Sequence, residues 1–440
     1  MSFNNKIISN YGISLVYLFK WIAISGLIAL MAGSASALFL ESLEMATEYR
    51  EAHDWLIYLL PVGGLIVGLF YHYFGQEVEA GNNLIIDQVH KPETVIRARM
   101  APLVFLGTVA THLFGGSAGR EGTAIQMSAS LADQISKVFK LNKRDRRIIL
   151  IAGISAGFGS VFGTPLAGAI FGLEVVVIGR MRYEAILPSF VASILANWVT
   201  IYVWGVHHHQ YHLDIETAEI IKDIGNSYLV LYASIAGVFF GLASMMFSKF
   251  TSLVGKLFKR MISYKPLIPF AGGIVIILMV LILDYFGVND GVGERSRFLG
   301  LGLPTIADAF TQQLPAYTWL FKLIFTGVTL GALFKGGEVT PLFFIGATLG
   351  NALALVLPLP VSFLAAIGLV AVFAGAANTP IATTFMAMEL FGGEIGIYAA
   401  VASVVAYIFS GHTSIYSSQK VGSAKNSTLT KDKGKSLRDL

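Results

Sequence analysis

The sequence predicts an all-α, multi-pass membrane protein with two inverted-topology repeats of tilted and broken helices, and a transport pathway where the repeats meet. Three observations carry that expectation. The 440 residues are 55% hydrophobic and only 13% charged, whereas a soluble domain carries about 25% charged residues. Apolar blocks long enough to span lipid recur from end to end. The two halves also repeat the same glycine, glutamate and Thr-Pro landmarks in the same order.

The apolar blocks run over 12–40, 55–74, 100–115, 148–178, 185–205, 226–247, 268–287, 318–334, 341–375 and 380–410. A spanning helix needs ~20 mostly apolar residues, so the chain holds roughly ten or more. Blocks that exceed one span and contain Gly or Pro are expected to split into short or re-entrant helices. The first block reads as a membrane helix, because no small-residue cleavage site separates it from a soluble body. Cysteine is absent, which excludes disulfides and thiolate metal sites.

Charge position sets the expected orientation. Lys137, Lys140, Lys143, Arg144, Arg146 and Arg147 form one basic loop. Lys249, Lys256, Lys259, Arg260 and Lys265 form a second, and Lys420, Lys425, Lys431, Lys433, Lys435 and Arg438 a basic tail. The stretch 214–223 is acidic, as is 284–308. The positive-inside rule then puts the basic loops and both termini in the cytoplasm of a cell-membrane protein. Such hydropathy excludes nucleic acid as the partner of the basic loops; the bilayer is the partner. His207, His208, His209 and His212 fall in an external loop, where a solvated patch is expected rather than a built metal site. No metal or cofactor is expected.

The repeat is specific. Leu113-Phe114-Gly115-Gly116 precedes Gly119-Arg120-Glu121-Gly122-Thr123 in the first half. Leu333-Phe334-Lys335-Gly336-Gly337 precedes Glu338-Val339-Thr340-Pro341 in the second. Later come Thr164-Pro165 and Thr379-Pro380, each with a glutamate, Glu174 or Glu389, nine residues after the proline. From Glu121 to Thr164 is 43 residues, and from Glu338 to Thr379 is 41. The expected organisation is a first repeat over 1–205, an external loop over 206–225, a second repeat over 226–417 and a disordered polar tail over 418–440. Inverted repeats of this kind bring half-helix N-termini together at mid-membrane.

Helices starting at 122–123 and 340–341 each present about half a positive charge and several unpaired N–H groups. An anion held there needs no Lys or Arg. Glu121, a carboxylate at membrane depth, is a functional-site candidate by position alone. Ionised, it takes the place of a free anion; protonated, it releases that place, so one titration both gates the anion and couples it to a proton. Arg120 is expected to pair with backbone or a nearby loop. Glu338, placed here as the counterpart of Glu121, is either a second proton or anion-path group or a cap of its own helix. Gly81-Asn82-Asn83 opens another short apolar helix, and Tyr416 follows the last apolar block. By themselves these read as an N-cap and an interfacial anchor. Glu174 and Glu389 read as polar contacts between helices, with Glu174 a further proton candidate. Gly115-Gly116-Ser117-Ala118-Gly119 matches a nucleophile pattern, with His112 and His412 available. That pattern needs a strand–turn–helix elbow, whereas this serine sits in a helix break without a partner in the other half. No enzyme is expected.

Together these residues resemble the CLC family of anion channels and proton-coupled antiporters, over about 15–417. The resemblance rests on Gly-Asn-Asn-Leu-Ile (81–85), Gly-Arg-Glu-Gly-Thr (119–123), Gly-Thr-Pro-Leu-Ala-Gly (163–168), Gly-Glu-Val-Thr-Pro (337–341) and Tyr416. Chloride-handling members carry Gly-Ser-Gly-Ile-Pro in place of 81–85, proline in place of Thr123, and an apolar-aromatic pair before Ala-Pro in place of Glu338 to Pro341. Their antiporters also carry a proton-transfer glutamate that aligns with Val175. The departures are similar to the fluoride-specific subgroup. That implies a homodimer exporting fluoride in exchange for protons, the alternative being a chloride channel or chloride/proton antiporter. It implies Glu121 as the gating and coupling group, with Glu338 and Thr340 standing in for the missing inner relay. Gly81, Asn82, Asn83, Gly119, Gly122, Thr123, Val339, Thr340 and Tyr416 would line the anion path. Fluoride is a strong hydrogen-bond acceptor, so amide and hydroxyl donors suit it better than an apolar pocket does.

Overall fold

The computed structural model describes residues 3–208, 211, 213–221, 227–288 and 297–440. The first half supplies α1 (Phe3–Glu51), α2 (Leu60–Phe74), α3 (Asn82–His90), α4 (Met100–Leu113), α5 (Glu121–Val138), α6 (Lys143–Phe162), α7 (Pro165–Glu174) and α8 (Ile186–Trp198). After α9 (Ile215–Ile220), the second half supplies α10 (Ser227–Met261), α11 (Leu267–Tyr285), α12 (Leu303–Thr311), α13 (Thr318–Gly331), α14 (Val339–Leu353), α15 (Val361–Ala377), α16 (Pro380–Phe391) and α17 (Gly396–Phe409). The chain is a mostly helical, multi-pass membrane protein. Among the described residues, five helices are long and apolar enough to cross a membrane, and seven more are shorter apolar pieces.

The breaks fall where the backbone demands them. The block 148–178 divides at Gly163, which ends α6 in the left-handed region (φ 75°), and Pro165 then opens α7. Asn378 (φ 61°) and Pro380 do the same between α15 and α16. Both follow the rule that a left-handed residue stops a helix and proline starts one.

The same neighbours pack in each half: α5 on α6 as α14 on α15, and α1 on α8 as α10 on α17. α6 and α15 form the centre; every residue from Ser362 to Ala377 is buried, as an all-apolar helix requires. The counterparts α7 and α16 lie side by side in opposite directions. The Glu174 carboxylate, at the end of α7, accepts the N–H groups of Ile381 and Ala382 at 3.1 and 2.8 Å. The Glu389 carboxylate, near the end of α16, accepts those of Leu166 and Ala167, both at 2.8 Å. Each glutamate caps the other helix, satisfying first-turn amides and opposing the helix dipole. Repeated elements that run antiparallel make the halves inverted.

Two expectations are corrected. Arg146, assigned to the basic loop, is buried inside the first half. Its guanidinium donates to both carboxylate oxygens of Asp133 at 2.7 and 2.8 Å and to the Gln88 side chain at 3.1 Å, tying α5 and α6 to α3. The polar tail is folded rather than disordered: its strand β2 (Lys420–Val421) pairs in parallel with β1 (Val177–Ile178). Arg438 donates to both Asp87 oxygens at 2.8 Å, which pins the chain end to α3.

Candidate functional site

The two halves touch through glycine. Gly119 and Gly337 exchange backbone hydrogen bonds at 2.6 and 2.7 Å, an isolated antiparallel bridge just before α5 and α14. A Cβ on Gly337 would lie 2.7 Å from the Gly122 nitrogen and 3.0 Å from that of Glu121. Only glycine lets the amides at the start of α5 approach so closely.

Glu121 begins α5 and is fully buried. Its Oε2 accepts the N–H of Thr340 and its neighbour Arg120's N–H, each at 3.1 Å. Its Oε1 accepts the hydroxyl hydrogen of Thr340. The carboxylate of one half therefore rests on the first turn of the other half's helix, as a bound anion would. Arg120 Nε stands 3.8 Å from Glu121 Oε1, so Arg120 faces the carboxylate more closely than a remote backbone role requires.

The bridge also corrects the alignment of the halves. Gly119 pairs with Gly337, and the residues before α5 and α14 are Arg120 and Glu338. Glu338 is thus the counterpart of Arg120, and Val339 that of Glu121. Matching glutamate to glutamate shifts the repeat by one residue. Glu338 makes no cap bond to its helix, and its Oε2 is buried without a protein partner.

The remaining candidates surround these starts. A Cβ on Gly122 would meet Asn82 Nδ2 at 3.0 Å and Glu338 Oε2 at 3.5 Å, so both side chains face Gly122. Gly81, at φ 57°, introduces α3. Asn82 and Tyr416 line one cavity of about 10 Å3 with Ile125, Phe171 and Val175, room for a single water-sized species. Asn82 Oδ1 and the Tyr416 hydroxyl, like Glu338 Oε2, are buried without a protein partner. Asn83 instead accepts the Ser418 N–H at 2.9 Å, linking α3 to the tail. Thr123 directs its hydroxyl away, to Thr108 at 2.7 Å, so only its backbone N–H is available at the helix start.

The serine decoy resolves structurally. Ser117 Oγ meets Thr326 Oγ1 at 2.8 Å, and the two His112 nitrogens meet the Thr108 and Ala118 carbonyls at 2.9 and 3.0 Å. His412 pairs with Asp432 at 2.8 Å. In the segment 206–225 His207 is exposed and His208 partly buried, while His209 and His212 lie outside the described residues. Among the described residues no group of three His, Asp or Glu could hold a metal ion.

Sequence reasoning passed over two buried groups. Gln419 donates to the Val175 and Ala377 carbonyls at 2.6 and 2.7 Å and accepts from Asn378 at 2.9 Å, fixing the segment that carries Tyr416. Lys322 is fully buried, donating to the Phe298 and Gly300 carbonyls at 3.2 and 2.8 Å. Its lone charge within the apolar block 318–334 was the available signal.

Inverted halves, a buried carboxylate held on the opposing helix start and unpaired polar atoms nearby mark an anion-handling membrane protein. The model of the voltage-gated chloride channel family matches residues 63–411, and the chain belongs to that family, the CLC channels and antiporters. It is 55% identical over 412 residues, 94% of this chain and 89% of the relative, to a chloride/fluoride channel protein of Pseudomonas syringae pv. tomato. It is similar to the crystal structure of a CLC-type fluoride/proton antiporter, with TM-score 0.83 and 32% identity over 91% of this chain and 97% of the other. The fold is shared with a slow cyanobacterial chloride/proton antiporter, at TM-score 0.71 and 18% identity over 89% and 94% of the two chains. The family comprises transporters and channels rather than enzymes.

Proposed function

We propose that this CLC protein is a fluoride/proton antiporter that exports cytoplasmic fluoride as protons move in. One observation supports it above the rest: Glu121 occupies, with its own carboxylate, the amide and hydroxyl of Thr340 at the start of α14 in the opposing half. A free anion arriving there must displace it, and a protonated Glu121 leaves more readily, because a neutral acid forfeits the charge-assisted part of its hydrogen bonds. Anion and proton thus alternate at one place. Glu338, with an unpaired carboxylate oxygen facing Gly122, is the second proton group, on the side of Asn82.

Fluoride over chloride is favoured by the donor set. Asn82 and the Tyr416 hydroxyl supply the polar lining of an otherwise apolar one-water cavity, and with the amides at the starts of α5 and α14 they replace the water of a small, strongly hydrated anion better than that of chloride. The names of the two relatives at 55% and 32% identity point the same way. The functional unit is a homodimer with one pathway per chain, in the cell membrane with both termini cytoplasmic. Residues 1–205 and 226–417 are the two repeats, joined by the external loop 206–225, with 418–440 at the cytoplasmic face. Liposomes loaded with either halide test the selectivity. Fluoride efflux far exceeding chloride efflux is expected, and equal rates would favour a general chloride-handling CLC.

A further inference from the structure

A second cavity, of about 320 Å3, lies away from the anion site, between the end of α2 and the start of α11. Its walls include Tyr71, His72, Gln76, Glu79, Lys265 and Lys335. Leu333 holds a left-handed backbone (φ 65°), a conformation costly for a residue with a Cβ. That turn delivers Lys335 across Gly107 and over the ring of Tyr71, its ammonium 3.8 Å from the ring centroid.

The charge in this cavity does not cancel. Glu79 is matched by Lys265 at 2.9 Å. Lys335 makes the ring contact, and no carboxylate pairs with it among the described residues. A ring face attracts a cation but does not neutralise it, so one positive charge remains within a protein wall. From this we infer that the cavity binds the phosphoryl headgroup of an anionic phospholipid, with Lys335 as the principal contact and Lys265 at the rim.

Three observations select a lipid over a dissolved ion. The helices that wall the cavity face lipid: Phe70, Tyr73 and Phe74 of α2 and Leu267, Ile274 and Leu278 of α11 are exposed. Lys265 lines the cavity beside Lys335, and Lys259 is close enough to act on the Lys335 charge; basic pockets between membrane helices take anionic headgroups. The cavity's volume of about 320 Å3, against about 10 Å3 for the one-water cavity at Asn82 and Tyr416, is far more than one halide fills. The site is independent of the transport reading, because nothing in it requires Glu121.

Native mass spectrometry of the detergent-purified full chain, titrated with phosphatidylglycerol or phosphatidylcholine, tests it. The wild type should retain one phosphatidylglycerol per chain in preference to phosphatidylcholine. Lys335→Met should weaken that retention about five- to tenfold, and Lys335→Arg should restore it. Glu79→Gln, a change in the cavity wall that frees the Lys265 charge, should strengthen retention and serves if the Met variant folds poorly. Equal retention of both lipids, or unaltered retention in Lys335→Met and Glu79→Gln, would overturn the site. Displacement of the lipid by equimolar inorganic phosphate would overturn the lipid as its source.

Discussion

The Glu121 carboxylate accepts the Thr340 N–H at 3.1 Å, although 219 residues separate them. One half's carboxylate is therefore held by the other half's helix start, and in the proposed exchange this contact is what a transported anion must replace. Thr340 holds Glu121 twice, by amide and by hydroxyl. A hydrogen bond to a charged group contributes about 1.5–3 kcal/mol. Thr340→Val removes the hydroxyl and keeps the amide, so the gate should open roughly ten- to a hundredfold more often. Fluoride leak without proton movement should rise accordingly in a liposome flux assay, and Thr340→Ser should restore the tight gate.

Glu121→Gln keeps the shape and removes the titration. Proton movement accompanying fluoride flux should be abolished, measured as external pH during efflux. Proton flux at the wild-type ratio would remove Glu121 from its gating role.

Glu174 and Glu389 cap each other's helices, and the pair separates a structural role from proton transfer. Replacing either by Gln should lower thermal stability in detergent by about 0.5–2 kcal/mol and leave the proton-to-fluoride ratio unchanged. An altered ratio in Glu174→Gln alone would make that residue a proton carrier.

Arg146 and Asp133 form a buried bidentate pair. Arg146→Met leaves a carboxylate buried without its counterion, at about 3–5 kcal/mol. Folded yield should fall sharply, and Asp133→Leu combined with Arg146→Met should recover part of it.

The repeated Leu-Phe, glycine and Thr-Pro landmarks made the inverted architecture legible, because each marks a backbone event: a helix break, a left-handed stop or a proline start. Glu121 was legible for the same reason, as a carboxylate bracketed by glycines. Glu338 was found but misregistered by one residue, since the letters align glutamate with glutamate while the bridge aligns Gly119 with Gly337. The tail's polar composition concealed its order. The tail is held by Gln419 on Val175, Arg438 on Asp87 and the β1–β2 pair, partners some 240 to 350 residues away. Arg146 was misplaced because a charge run resembles a solvated loop until the buried acid on the neighbouring helix is located.

In the proposed cycle, fluoride and protons exchange through Glu121. The most direct measurement sets equal fluoride on both sides of proteoliposome membranes and imposes only a pH gradient. Fluoride should accumulate on the acidic side, building a gradient of its own as protons leave that side in exchange, and this pumping should vanish in Glu121→Gln. Fluoride that merely equilibrates under every pH gradient, in wild type as in the variant, would contradict the account.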